Sequence, residues 1–391
     1  LKKKVIATAT SAVLATFAGA AHAQSSVTLY GLIDAGISYV NNSKTSTGAS
    51  SLTKFDDGVA QGSRWGLRGA EDLGGGLKAI FVLESGFNTG TGALGQGGAL
   101  FGRQAYVGLS KDAVGTLTFG RQYTFNTDFL GSAYSTGGET VAGNYAYHVN
   151  DVDQLTSSRI NNAVKFTSAN FAGFTFGALY GFSNAAGAFA GSPGTGSTVT
   201  GGSSRAWSAG ANYAQGPIAA GVAYTDIRYP GQASPAFSTA LFGLSTGATG
   251  SQVRDLHSLG VGGRYLFGPA TVWALWTNTH IEPTAGAQTT YNAYEIGGKY
   301  AITPAFTGSL GYTYSNASDS FSAHWHQIDA SVDYALSKRT DVYLLGIYER
   351  ASGKVKGVQV PAQIGSSTSY FNTSGNEDNQ LAFRIGIRHK F

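Results

Sequence analysis

The feature that most constrains this chain is an alternation of apolar and polar residues, period two, running from Ser26 to the terminal Phe391. That period belongs to half-buried strands, in which successive side chains point to opposite faces. Val27, Leu29, Gly31, Ile33, Ala35, Ile37 and Tyr39 share one face, with Thr28, Tyr30, Asp34 and Ser38 on the other. In the last segment Leu381, Phe383, Ile385, Ile387, His389 and Phe391 alternate with Ala382, Arg384, Gly386, Arg388 and Lys390. Alternation alone permits two folds. In a soluble sandwich the apolar face is a core; in a membrane barrel it meets lipid and the polar face lines water.

The connections separate the two. Short turns are expected at Gly74-Gly75-Gly76, 111–115, 170–173, Gln215-Gly216-Pro217, Gly268-Pro269, Thr303-Pro304 and Lys338-Arg339-Thr340. Long connections are expected at 42–61, 125–158, 185–204, 230–254 and 352–378. Strict alternation of short and long gives the sheet two different ends, as in outer-membrane barrels with short periplasmic turns and long external loops. The strands read at 26–40, 63–73, 77–88, 102–110, 116–124, 159–169, 174–184, 205–215, 218–229, 255–267, 270–282, 290–302, 306–317, 325–337, 341–352 and 380–391. This is a sixteen-stranded antiparallel transmembrane β-barrel, large enough to hold an aqueous channel.

Composition agrees. Charged residues are 12% of the chain, about half the roughly 25% of soluble domains. Beyond the N-terminus no apolar run reaches roughly 18 residues, so no helix there is expected to cross a bilayer. With no Cys, a disulfide framework and a thiolate metal site are excluded. Gly-rich runs read as turns, since none opens a helix with a trailing Lys-Ser/Thr to cradle phosphate. Lys2, Lys3 and Lys4, the apolar stretch 5–21 and Ala21-His22-Ala23 read as a secretory signal over 1–23, leaving one barrel domain over 24–391. Subtracting those three lysines from 26 Lys+Arg leaves 23 against 22 Asp+Glu. The pI near 9.0 therefore marks no nucleic-acid partner. Tyr30, Tyr39, Trp65, Tyr180, Tyr213, Tyr265, Trp273, Trp276, Tyr300, Tyr312, Tyr334 and Tyr343 are expected to form the two interfacial girdles.

Several ordered motifs carry a resemblance over essentially the whole chain after the signal. They are Ser26-Val-Thr-Leu-Tyr-Gly-Leu-Ile-Asp34, Ser63-Arg-Trp-Gly-Leu-Arg-Gly-Ala-Glu-Asp-Leu-Gly74, Phe101-Gly-Arg-Gln-Ala-Tyr-Val-Gly-Leu109, Phe119-Gly-Arg-Gln-Tyr123, Asn162-Ala-Val-Lys-Phe-Thr-Ser168, Asp333-Tyr-Ala-Leu-Ser-Lys-Arg-Thr-Asp-Val-Tyr343 and Gly386-Ile-Arg-His-Lys-Phe391. In these the chain resembles the general porins of β-proteobacterial Gram-negatives. The resemblance implies an outer-membrane homotrimer and passive diffusion of ions and small hydrophilic solutes. It also implies a third external loop folded inward, anion preference from constriction arginines, and a terminal Phe391 read by the outer-membrane assembly machinery. Lipopolysaccharide and other outer-membrane lipids would surround it, and no cofactor is implied.

Pores bias ions through the charges at their narrowest point. The loop 125–158 carries Asp128, Glu139, Asp151 and Asp153 as its acidic side. Parity turns Arg64, Arg68, Arg159 and Lys165 inward as a basic wall, with Arg264, Lys299, Arg384 and Arg388 as further inward cations and Asp34, Glu84, Glu295, Asp329 and Asp333 as inward acids. Arg103 and Arg121 are the exceptions, because parity points them at lipid, where mid-depth arginine costs about 2–4 kcal/mol. Either a bulge at the preceding glycine turns both inward and adds them to the basic wall, which is the expectation, or the sites lie at the trimer contact or the rim. His324-Trp325-His326 offers a metal pair or, more simply, a polar mouth with an interfacial Trp. Asp151 and Asp153 offer Ca²⁺ ligands at the external loops or, more simply, a solvated acidic loop, since their spacing fits no defined Ca²⁺ loop. A substrate-specific channel is the alternative function. A barrel hydrolase needs a positioned nucleophile–base pair, and no nucleophile motif includes any of the 7 His.

Overall fold

The computed structural model describes residues 26–182, 205–228, 253–283, 287–355 and 357–391. The expected signal segment, the connection 185–204 and most of 230–254 lie outside these. Eighteen strands are present among the described residues: β1 Ser26–Thr45, β2 Gly48–Asp57, β3 Arg64–Gly74, β4 Leu77–Gly86, β5 Gln104–Lys111, β6 Gly115–Tyr123, β7 Arg159–Ser168, β8 Phe174–Gly181, β9 Arg205–Gln215, β10 Ile218–Arg228, β11 Val253–Phe267, β12 Ala270–Pro283, β13 Thr289–Ala301, β14 Phe306–Asp319, β15 Ser322–Ala335, β16 Thr340–Val355, β17 Val358–Gln359 and β18 Asn379–Lys390.

Each wall strand pairs antiparallel with its neighbours, and β1 pairs with β18 from Leu32↔Lys390 to Val40↔Ala382. Gly31 and Phe391 exchange two backbone hydrogen bonds of 3.1 and 3.0 Å at the foot of that seam. The sheet is therefore a closed barrel. β2 and β3 lie along the same edge of β1, pairing with Ala35–Thr45 and Ser26–Leu32 respectively, so they form one interrupted strand. With the two-residue ribbon β17 set aside, the wall has sixteen strands.

Two expectations change here. The connection 42–61 is largely a hairpin that extends the wall beyond the expected loop boundary. Its alternating Leu52, Lys54 and Asp56 against Thr53, Phe55 and Asp57 suits a strand, although the polar stretch before it reads as a loop. Short and long connections also do not alternate strictly, because β14 and β15 are joined by Ser320-Phe321 alone.

The outer face is as apolar as the period requires. Val27 is 65% exposed and Ile385 58%, while Asp34 and Ser38 on the opposite face are fully buried. The girdle is only partly as expected. Trp273 and Tyr343 are buried inside, and Tyr30 donates inward to Glu84 Oε2 at 3.0 Å.

The interior departs from a purely polar lumen. Leu256, Leu275, Ile281, Tyr291, Trp325, Leu345 and Ile347 are buried wall residues. They are covered by two inter-strand segments. From 124–158, Phe125, Leu130, Tyr134 and Leu155 cluster with Ile160, Leu179, Ala223 and Ile227. Val149 and Val152 cluster with Leu256, Tyr291 and Trp325, joined by Val360 and Ala362 of the segment after β17. Each such side chain contributes about 1.5–3 kcal/mol by leaving water, so these segments are packed structure. The break between β2 and β3 joins them: buried Val59 accepts from Asn144 N at 2.7 Å. Gly143 makes that approach possible, with φ +52° and space for a Cβ only 2.0 Å from Val59 O.

The seam is braced on its inner side by a buried ion pair. Arg384 Nη2 lies 3.4 Å from Asp34 Oδ1 with both side chains fully buried. Arg384 also donates to Tyr343 Oη, Ser38 Oγ and Asp56 O at 2.9–3.2 Å. Removing one partner of a buried pair costs about 3–5 kcal/mol. Arg384→Leu is therefore expected to lower barrel stability by about that much in denaturant unfolding from detergent. Asp34→Asn added to it should recover part of the loss, because the uncompensated charge is gone.

Candidate functional site

An interior cavity of about 1230 Å³ runs between β1–β7, the seam strands and the inner edge of 124–158. Its described lining carries seven cations (Arg64, Arg68, Arg103, Arg159, Lys299, Arg388, Lys390) and five acids (Asp57, Glu84, Asp128, Glu139, Asp333). Strand parity explains the wall members. Arg64 and Arg68 share the face opposite Trp65 and Leu67, and Arg388 and Arg384 the face opposite Ile385 and Ile387.

The centre of the site is Glu84 between two guanidiniums. Arg103 Nε lies 2.6 Å from Glu84 Oε1 and Arg64 Nε 3.9 Å from Glu84 Oε2. Arg159 stands alongside, its guanidinium 4.7 Å from the Tyr123 ring centroid, and its buried Nε lacks an acceptor among the described residues. Arg68 lies over the Tyr30 ring at 5.3 Å. Across the cavity, Glu139 is held by Arg264 Nη1 at 2.7 Å and Lys299 Nζ at 2.6 Å. Arg388 pairs with Asp341 at 3.1 Å and lies 4.0 Å from Asp333.

Arg103 is turned inward as expected, just before β5 begins. Arg121 is not. The register shifts between Gly120 and Gln122, where Asn161 and Asn162 of β7 oppose Arg121 alone. The extra residue thus sits in β7, with Asn162 at φ +52°. Gly120 at φ +138° lies tight against Ala105 O, 2.1 Å from where a Cβ would be. Gln122 is the buried, inward residue, bonded to Thr118 Oγ1 at 2.6 Å. Arg121 remains on the Phe119 side, outside the cavity lining, and donates to Gly102 O at 2.8 Å and Asn161 Oδ1 at 2.5 Å. Its guanidinium is therefore hydrogen-bonded to neutral acceptors near the ends of β6 and β7.

Lys165 also leaves the expected basic wall. It is inward and buried, but Asp128 and Tyr123 O hold its ammonium beneath the loop, off the cavity lining. Two of the four loop acids behave likewise. Asp151 accepts from Thr156 N at 3.0 Å and Ser157 N at 2.8 Å, which folds its own turn. Burial pushes its carboxyl up to about 7. Asp153 lies 2.5 Å from His148 Nδ1 and accepts from Thr277 Oγ1 at 2.7 Å. Both are too buried to form a solvated acidic rim. Only Asp128 and Glu139 reach the cavity lining. The residues that parity could not find are Glu84 as the shared partner of two arginines and His148 beneath the loop. Glu84 was legible as inward, but its partners come from different strands.

His324 and His326 face outward, accepting from or donating to Tyr314 Oη at 3.1 Å and Tyr312 Oη at 2.8 Å. Trp325 faces inward and donates to Pro361 O at 3.2 Å. The mouth reading with an interfacial Trp is therefore corrected: the histidines occupy the outer face and the Trp the interior.

A family model described as "Gram-negative porin" matches residues 9–354. An outer membrane porin protein of Bordetella pertussis is 32% identical, and outer membrane porin protein 32 of Delftia acidovorans 29% identical, each alignment covering 100% of both chains. The solved anion-selective porin from Comamonas acidovorans superposes with a TM-score of 0.73 at 25% identity, covering 94% of this chain and 100% of that one. A trimer-form outer membrane protein of Vibrio cholerae shares the fold, with a TM-score of 0.64 at 15% identity, covering 94% and 99%.

Asp151 generates a pH prediction. A carboxyl raised in the fold contributes stability that is complete below its ordinary value of 3.8 and lost as pH rises through about 7. The melting-temperature gap between the parent chain and Asp151→Asn should therefore shift in the parent's favour on acidification across that window. A gap independent of pH would refute the assignment.

Proposed function

The chain belongs to the Gram-negative porin family, and from that premise we propose that its lumen arginines give the channel a modest preference for anions. It is an outer-membrane β-barrel that passes ions and small hydrophilic solutes passively. Family and fold point to a channel rather than an enzyme. The segment 124–158 acts as the constriction loop. It lies against inward-facing wall residues, through Phe125 N to Ser208 Oγ at 3.1 Å, Asn126 Nδ2 to Ser258 Oγ at 3.1 Å and Gln327 Nε2 to Tyr145 O at 3.3 Å.

The observation that carries the proposal is the imbalance around Glu84. Two arginines share that one carboxylate, and Arg159 beside them has no carboxylate partner among the described residues. The acids across the cavity are engaged by cations of their own. Positive charge is thus left over along the cavity wall, which lowers the barrier for anions and raises it for cations. The assembly we propose is a homotrimer set in lipopolysaccharide and phospholipid. Its terminal Phe391, 41% exposed at the foot of the seam, is the residue offered to the assembly machinery.

The test is the reversal potential of purified protein in planar bilayers under a KCl gradient. The parent channel should favour chloride. Arg64→Gln and Arg159→Gln should each move the potential toward potassium. A charge acting at about 1 kcal/mol changes the permeability ratio about fivefold, and screening reduces this at high salt. Potentials that these variants leave in place would overturn the proposal.

A further inference from the structure

Beneath the constriction loop lies a buried group that the selectivity argument does not use. His148 is fully buried, with Nδ1 2.5 Å from Asp153 Oδ2 and Nε2 3.0 Å from Glu295 Oε2. A carboxylate oxygen only accepts, and a neutral imidazole carries a single N–H. Two ring nitrogens facing two carboxylates therefore call for the doubly protonated imidazolium, with a charge-assisted bond at each end.

The wall partner is shared. Glu295 of β13 also accepts through Oε1 from the backbone N–H of Thr136, from Thr136 Oγ1 at 2.5 Å and from Trp273 Nε1 at 3.1 Å. One wall carboxylate thus grips both halves of the loop, at Thr136 and at His148. Asp153 carries the brace on to β12 through Thr277. The groups facing His148 are Asp153 from its own loop, Glu295 from β13 and Asp329 from β15, with Asp151 beside Asp153 and with Tyr147 and Tyr291 beside the acids.

We propose that His148, held as an imidazolium between Asp153 and Glu295, is a positioning residue that locks the second half of the constriction loop to the wall and so fixes the aperture. The proposal rests on 124–158 being the constriction. Burial alone would lower the affinity of His148 for its proton, but Asp153 and then Glu295 outweigh it and raise the ring to about 10 from 6.5. A raised imidazole contributes in full below its ordinary value, and the contribution disappears as pH rises through the folded value. The brace is thus intact at neutral pH and fails on the alkaline side.

The test combines single-channel recording with ¹⁵N-histidine NMR of the purified protein in detergent. The parent channel should be quiet at pH 7 and grow noisier as pH rises through about 10. His148→Gln should already be noisy at pH 7 and lack the alkaline step, and His148→Lys, which restores a cation, should be quieter than His148→Gln at pH 7. The parent's His148 should show two protonated ring nitrogens at pH 8. A neutral ring at pH 8 would overturn the proposal whether or not the variants assemble. So would a His148→Gln channel as quiet as its parent. The anion reading is judged separately, by reversal potentials of the arginine variants, so failure of one is distinguishable from failure of the other.

Discussion

Everything in this molecule depends on the pairing of its first wall strand with its last. In hydrocarbon each unpaired backbone N–H or C=O costs several kcal/mol, so a sheet can cross a membrane only if it has no edge. Here the edge is removed by β1 and β18, from Val40 and Ala382 down to Gly31 and Phe391. Arg384 and Asp34 stand on the inner side of that seam, where charge is shielded from lipid. They reach Tyr343 and the Asp56 carbonyl, so the seam, the β2 hairpin and β16 are tied together at one point.

Inside the closed wall the space is divided. One side is packed solid, with the 124–158 segment and the segment after β17 seated on apolar wall residues. The other side is wet and charged, bordered by Arg64, Arg68, Arg103 and Arg159. The division separates two tasks. Apolar packing and buried bonds determine where the loop sits, and the wet side determines what charge a solute meets. The buried acids Asp151 and Asp153 belong to the first task, and Asp128 and Glu139, which reach the cavity, to the second.

The wall was legible in the sequence because strand parity is local: each residue's facing follows from its neighbours two positions away. That is why Arg64, Arg68, Glu84, Glu295 and Arg388 point inward as read. Parity fails where information comes from another strand. The residue that breaks the register opposite Arg121 lies in β7 at Asn161–Asn162, some forty positions on, so Gly120 alone could not reveal which way Arg121 turns. The hairpin at β2 was hidden by Ser and Thr, whose polarity reads as loop although β-branched Thr suits a strand. Inward apolar residues such as Leu256, Tyr291 and Trp325 are explicable only once the loop that covers them is in place. The same limit separated Asp128 and Glu139 from Asp151 and Asp153, since four acids in one loop look alike until their neighbours are known.

The packed interior has a consequence for how the chain reaches this state. Residues 124–158 are synthesised before β9–β16, yet their apolar groups rest on those later strands and their Tyr145 hydroxyl bonds to Ser38 of β1 at 2.8 Å. The contacts of this one segment therefore span most of the sequence, from Asn126–Ser258 to Gln327–Tyr145, and such distant contacts form slowly. A partly built wall would leave the segment with half a core. The packed interior and the closed wall thus draw on the same contacts, so neither is complete without the other.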